Sequence, residues 1–215
     1  MAAVLDIDGV ILMTNLTKYR AMLGLFDSHP ARKEEISRYI LDRNGVRRDL
    51  KILGIHSEIL GSPLSEGGLD EYLQRYATAL EEELRNAPFV AGVERFIERH
   101  EGSLYVSSSG PAEEVARQLE GRSLMRHFDG VFAGEADKRG GLEQIRRQEN
   151  GQHVVFFGDS LGDLQSARSA GVAFVGVVAE RDNFGTEPTI KIRDFADPAL
   201  VAKAIQDALA GRYSR

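Results

Sequence analysis

Apolar residues along this chain follow two rhythms. The first is brief: Ala3-Val4-Leu5 runs into Asp6, and after Ile7 come Asp8 and Gly9, the pattern of a buried strand that stops at a turn. From there to about residue 88 the spacing is helical. Leu16 to Phe26 predicts a helix with Asn15 as its N-cap. Ser28-His29-Pro30 restarts the chain, and a second helix over about Ala31–Asp42 stops at Asn44-Gly45. A third runs from Arg48 to Leu60, where Gly61-Ser62-Pro63 breaks it. Leu69, Leu73, Tyr76, Leu80 and Leu84 recur at helical intervals, so about Gly68–Arg85 is a long amphipathic helix, ended by Asn86-Ala87-Pro88.

Beyond residue 88 short apolar runs alternate with helical stretches. Helices are predicted over Val93–His100, Ala112–Leu119, Gly141–Gln148 and Leu164–Ala170, and strands over Ser103–Ser107, Gly130–Ala133, His153–Gly158 and Val172–Val178. Strands separated by helices imply a parallel sheet covered on both faces. The expected architecture is α/β: an open parallel sheet formed by residues 1–14 and 89–215, with an all-helical insertion over 15–88. Ligands of such sheets bind beyond the carboxyl ends of the strands, which is where the insertion starts.

Composition narrows the function classes. A net charge of −6 over 215 residues supplies no basic field to hold nucleic acid. Cysteine is absent, which removes disulfides, a thiolate nucleophile and Cys-ligated metals. No apolar run has the length of a membrane span, and the first residues lack the charged region of a signal peptide. The expectation is a cytoplasmic protein with no membrane partner, as a monomer or homodimer.

The candidate chemistry sits at strand ends. Asp6 and Asp8 are two residues apart, and carboxylates about 4 Å apart repel by a few kcal/mol at an effective dielectric near 20. A cation or a raised pKa offsets that; two solvated Asp residues at a strand end are the plain alternative. Ser107-Ser108-Ser109-Gly110 offers hydroxyls and backbone N–H groups to an anion, or Ser109 is a simple N-cap. Asp159 and Asp163, four apart in Asp159-Ser160-Leu161-Gly162-Asp163, suit a hard cation such as Mg²⁺ across a glycine-containing turn. Lys138 lies between these blocks and, taken alone, is a surface lysine.

Taken together, strand–Asp-x-Asp-Gly, strand–Ser, a Lys, and strand–Gly-Asp-x-x-x-Asp in this order resemble the haloacid dehalogenase (HAD) superfamily. The resemblance covers the whole chain, includes the helical cap of phosphoglycolate phosphatase and β-phosphoglucomutase relatives, and implies a Rossmann-like sheet. It further implies an Mg²⁺-dependent phosphatase acting on a small phosphorylated metabolite. Asp6 would be the nucleophile, forming an aspartyl-phosphate. Asp8 would act as acid and then base. Ser107, with Ser108 beside it, would bind the phosphoryl group, and Lys138 would neutralise it. Asp6, Asp8 through its backbone carbonyl, Asp159 and Asp163 would hold the metal, Asp163 in its first or second shell.

The segment Gly45-Val46-Arg47-Arg48 resembles the substrate-reading loop of β-phosphoglucomutase-like caps, which makes Arg48 a substrate-binding candidate. The alternative is a solvated basic helix face of Arg47, Arg48 and Lys51. Two departures stand out. Met13-Thr14 replaces the Asp-Ser or Asp-Thr often found after the glycine. Lys18 occupies the position of a β-phosphoglucomutase histidine, which weakens a mutase reading and makes Lys18 a further substrate contact. Competing readings are a phosphomutase of the same fold and a non-catalytic phosphate-binding regulatory module. A third, a GDSL-type esterase suggested by Gly158-Asp159-Ser160-Leu161, lacks the late histidine that family needs.

Overall fold

A computed structural model describes residues 1–43, 46–65, 67–134, 138–150 and 152–211. The expected helix stop at Asn44-Gly45 lies outside the described residues. By backbone contacts the chain divides into two compact units, Met1–Met13 with Pro88–Arg215, and Thr14–Ala87.

The first unit is built on a parallel sheet. Its strands are β1 (Ala2–Leu5), β2 (Leu104–Ser108), β3 (Gly130–Ala133), β4 (Val154–Gly158), β5 (Ala173–Val177) and β6 (Lys191–Ile192), in the order β3-β2-β1-β4-β5-β6. Every pairing among them is parallel. A parallel sheet must be covered on both faces, which is why β1 and β4 are apolar at every position rather than alternating. One face buries Val4, Phe156 and Phe174 against Leu142, Ile145 and Leu164. On the other face Phe157 meets Phe96 and Phe195, with ring centroids 5.5 and 5.4 Å apart. The helices of this unit are α5 (Val93–Arg99), α6 (Ala112–Glu120), α7 (Arg139–Gln148), α8 (Leu161–Ala170) and α9 (Pro198–Leu209). The order reverses direction between β1 and β4, and the carboxyl ends of such a strand pair frame the crevice of an open α/β sheet.

The second unit is helical, with no strand among its described residues. It comprises α1 (Asn15–Gly24), α2 (Lys33–Asp42, entered through a 3₁₀ turn at Pro30–Arg32), α3 (Arg48–Gly54) and α4 (Gly68–Arg85). Met22, Phe26, Ile36, Ile40, Ile52, Ile55, Tyr76 and Leu80 form its core.

Several local expectations are corrected. Thr14, not Asn15, occupies the N-cap position of α1, with Asn15 already helical. The helix read over Arg48–Leu60 changes pitch, continuing after Gly54 as a π-helix over Ile55–Leu60. β6 and α9 lie past the last predicted element, although Asp197-Pro198 is a start signal: Asp197 Oδ1 accepts the N–H groups of Ala199 and Leu200 at 2.9 and 3.3 Å. Among the described residues no helix is long and apolar enough to cross a membrane.

Candidate active site

Register brings the candidate residues to one edge. Leu5 pairs with Val106 on one side and Phe157 on the other, so the next residues, Asp6 and Ser107, stand level beside Gly158. Asp6 prolongs the ladder, its N–H donating to the Phe157 carbonyl at 3.0 Å, and then the chain turns sharply. The Ile7 carbonyl accepts from Ile11 and Leu12 at 3.0 and 2.9 Å, while Gly9 sits at φ 74°, a conformation that glycine adopts without penalty. This turn holds Asp8, half-buried, next to the buried Asp6. Outgoing and returning chain are then tied together, Met13 N–H to the Pro88 carbonyl at 2.9 Å and Val90 N–H to that of Ile11 at 3.0 Å.

The stretch after β4, expected as a turn, is the first turn of α8. Ser160 is its N-cap: Ser160 Oγ accepts the Asp163 N–H at 3.2 Å, and Asp163 reaches back to the Ser160 N–H, a capping box with aspartate in the glutamate position. The Asp163 side chain passes over Gly158, where a Cβ would lie 2.5 Å from that of Asp163. Glycine is required there by space, not by backbone angle. Asp163 Oδ2 accepts from Asp159 N–H, Ser160 N–H and Ser160 Oγ at 3.2, 3.2 and 2.7 Å. Ser160 is therefore a capping hydroxyl already committed to Asp163, which leaves no support for an esterase nucleophile there.

Lys138 closes the cluster from the start of α7. Its Nζ lies 2.8 Å from Asp6 Oδ2 and 2.7 Å from Asp163 Oδ1, with only 9% of its side chain exposed. One carboxylate oxygen from each of Asp6, Asp159 and Asp163 falls within 4.8 Å of the others. Burial, the largest influence, pushes the Asp6 carboxyl up to about 7; Lys138 pulls it down, and the negative charges of Asp163 and Asp8 push it further up. Burial disfavours the Lys138 ammonium, but Asp163 and then Asp6 outweigh it and raise its pKa. Three buried carboxylates against one ammonium leave an excess of negative charge, and all the donors are hard oxygens. That donor set fits Mg²⁺ or a similar hard cation.

The remaining candidates separate. Ser107 and Ser108 are both buried in β2. Ser108 Oγ accepts the Gly110 N–H at 3.1 Å, and the N-cap position of α6 is Pro111, so Ser109 is not the helix cap. Lys18 and Arg48 belong to the helical unit, where both adjoin Tyr76, a residue that sequence reasoning treated only as core. The Tyr76 hydroxyl donates to the Lys18 carbonyl at 3.5 Å, and the Arg48 guanidinium lies over the Tyr76 ring, 5.0 Å from its centroid. Arg47 is committed to Asp49 in a two-point pair at 3.0 and 2.8 Å. Arg47, Arg48 and Lys51 are all half-buried, unlike a solvated face.

A family model of haloacid dehalogenase-like hydrolases matches residues 1–171. The chain belongs to this family. No curated protein matches this haloacid dehalogenase-like hydrolase by sequence. Among solved structures, a predicted phosphoglycolate phosphatase from Haemophilus somnus 129PT superposes with a TM-score of 0.72 at 17% identity, covering 94% of this chain and 97% of that one. A β-phosphoglucomutase from Clostridium difficile gives 0.71 at 16%, covering 97% and 98%. CbbY from Rhodobacter sphaeroides, solved in complex with phosphate, gives 0.70 at 16%, covering 91% and 95%. At these identities the likeness is one of fold.

Proposed function

We propose that this hydrolase is an Mg²⁺-dependent phosphatase that hydrolyses a small phosphorylated metabolite through an aspartyl-phosphate on Asp6. The observation that carries the reading is Lys138, buried and bridging Asp6 and Asp163 at 2.8 and 2.7 Å beside Asp159. A buried lysine spanning two carboxylates is a costly arrangement for a fold and a useful one for phosphoryl transfer, which depends on positioning and charge stabilisation.

An Asp6 carboxylate oxygen attacks phosphorus, and the P–O bond to the leaving group breaks as Asp8 gives that oxygen a proton. Asp8 then takes a proton from water, whose oxygen cleaves the acyl phosphate and frees Asp6 and inorganic phosphate. Ser107 and Lys138 hold the phosphoryl oxygens. Asp6, Asp159 and the Asp8 carbonyl would hold Mg²⁺, with Asp163 adjoining, and the ion when bound supplies positive charge against the phosphoryl group. The helical unit is assigned the role of a cap that recognises the leaving group, through Lys18 and through Arg48, whose guanidinium lies over Tyr76.

The test is release of inorganic phosphate from a panel of phosphorylated metabolites that includes 2-phosphoglycolate and β-glucose 1-phosphate, with Mg²⁺ and with EDTA. Phosphate release that EDTA abolishes is expected. Turnover only with a catalytic bisphosphate would identify a mutase, and no turnover on any ester a binding module. Arg48→Ala should lower kcat/KM on the true substrate by roughly ten- to a hundredfold, the worth of a charged hydrogen bond. It should do much less on p-nitrophenyl phosphate, whose leaving group offers no anion.

A further inference from the structure

The loop between β5 and β6 is anchored on both sides of Asn183. Asp182 accepts the Phe184 N–H at 3.0 Å and pairs with Lys191 Nζ at 2.8 Å, at the start of β6. Phe184 is buried against Phe174, their centroids 5.8 Å apart. It occupies room that exists because residue 176 is glycine, since a Cβ there would lie 2.7 Å from the Phe184 ring. Between these anchors the half-buried Asn183 donates its side-chain amide to the Asp159 carbonyl at 3.1 Å.

That carbonyl belongs to the peptide unit joining Asp159 to Ser160. The N–H of the same unit donates to Asp163 Oδ2 at 3.2 Å. One peptide plane is thus gripped at both polar ends, by Asn183 from the β5–β6 loop and by Asp163 from α8. The plane leaves the Cα of Asp159, so its orientation sets the direction in which the Asp159 carboxylate leaves the backbone. We propose that Asn183 is a positioning residue for Asp159, holding its carboxylate in the arrangement that binds the metal. This rests on the reading of Asp159 as a metal ligand. Side chains that orient metal ligands typically contribute 10–100-fold to metal affinity.

The experiment titrates Mn²⁺ alone, without substrate, into the metal-free 215-residue chain by calorimetry, for the wild type, Asp159→Ala, Asn183→Ala and the near-isosteric Asn183→Leu. Metal-free melting temperatures are recorded in parallel. Wild type should bind and Asp159→Ala should not. Both Asn183 variants should bind about 10–100-fold more weakly, with metal-free melting temperatures within ~2 °C of wild type and with kcat restored at saturating metal. Affinity equal to wild type in both variants overturns the proposal and leaves the metal reading standing. A loss of affinity that merely follows a large drop in the metal-free melting temperature also overturns it, because Asn183 then holds up the fold and not the ligand. A wild type that takes up no divalent cation overturns the metal reading, and this inference with it.

Discussion

At the amino ends of β4 and β5 a cavity of about 400 Å³ gathers Arg146, His153 and Arg168; at the carboxyl ends of β1 and β4 a buried cluster gathers Asp6, Asp159, Asp163 and Lys138. Helices in a parallel α/β unit run opposite to the strands, so their C-termini collect at the amino end and their N-termini at the carboxyl end. Arg146 and Arg168 lie in the last turns of α7 and α8, where a cation complements the helix dipole. Arg146 Nη1 lies 2.6 Å from where a Cβ of Gly171, the residue that ends α8, would stand. Lys138 breaks this rule: it is a cation at the N-terminus of α7, buried, and held by carboxylates that repel one another. Charges placed as the fold prefers mark one end. At the other end Asp163 stands at the N-terminus of α8, where the dipole favours an anion, and it is Lys138 alone that is placed against the preference; strain of that kind gathers where chemistry is done.

The sharpest way to break this contrast is Asp6→Asn. Loss of a covalent nucleophile should lower turnover by at least about 10⁴-fold, measured as phosphate release with Mg²⁺. Stability should move the other way. The Asp6 carboxyl is raised from 3.8 to about 7 in the fold, so between those values the native state holds a proton that the unfolded chain has released. The contribution of Asp6 to wild-type stability therefore falls as pH rises from about 4 through 7. Asp6→Asn escapes that loss, and its metal-free melting temperature at pH 8 should be no lower than that of the wild type. A large drop would place Asp6 among the residues that hold the fold together.

Lys138→Ala comes next. Removing one electrostatic contact to the transferring group costs about 10²–10³ in kcat. It also leaves Asp6 and Asp163 without their shared counter-charge, and breaking a buried pair destabilises by about 3–5 kcal/mol. Mg²⁺ should recover much of the lost melting temperature in this variant, because a cation then stands in the same field. No recovery would mean that the carboxylates do not share a metal.

These residues were unequally legible in the sequence. Asp6, Ser107 and Asp159 each follow an apolar run, and a parallel sheet brings such strand ends to one edge by topology alone. Lys138 has no signal of its own, and only the order of the other motifs singles it out. Ser160-x-x-Asp163 is a capping-box spacing, yet the stretch reads as a glycine-containing turn when the two carboxylates are weighed as cation ligands and not as helix-start residues. Asn183 and Tyr76 were invisible for opposite reasons. The partner of Asn183 is a backbone carbonyl set by loop geometry, and the apolar spacing of α4 accounts for Tyr76 without any reference to Arg48.

Metal affinity should follow the protonation of the same carboxyl. Below about 7 the Asp6 carboxyl carries a proton that a cation must displace, so the Kd for Mg²⁺ should weaken roughly tenfold per pH unit there and level off above it. Calorimetry in buffers of different ionisation enthalpy counts the proton released. A flat profile between pH 6 and 8 would show that Asp6 is already ionised or stands outside the metal site.

Arg146→Ala tests the other end, and the effect expected is the smallest. A cation at an exposed helix C-terminus contributes about 0.3–1 kcal/mol, screened by salt. For a chain of this size 1 kcal/mol corresponds to a melting shift of roughly 2–4 °C. The variant should therefore melt slightly earlier at low ionic strength and like the wild type in high salt, with kcat and KM unchanged, since Arg146 touches none of the reacting groups. A fall in kcat without a fall in melting temperature would mean that the two ends are coupled through β4 and α8, both of which run from this cavity to the Asp159–Asp163 turn, and the contrast between a structural end and a chemical end would then fail.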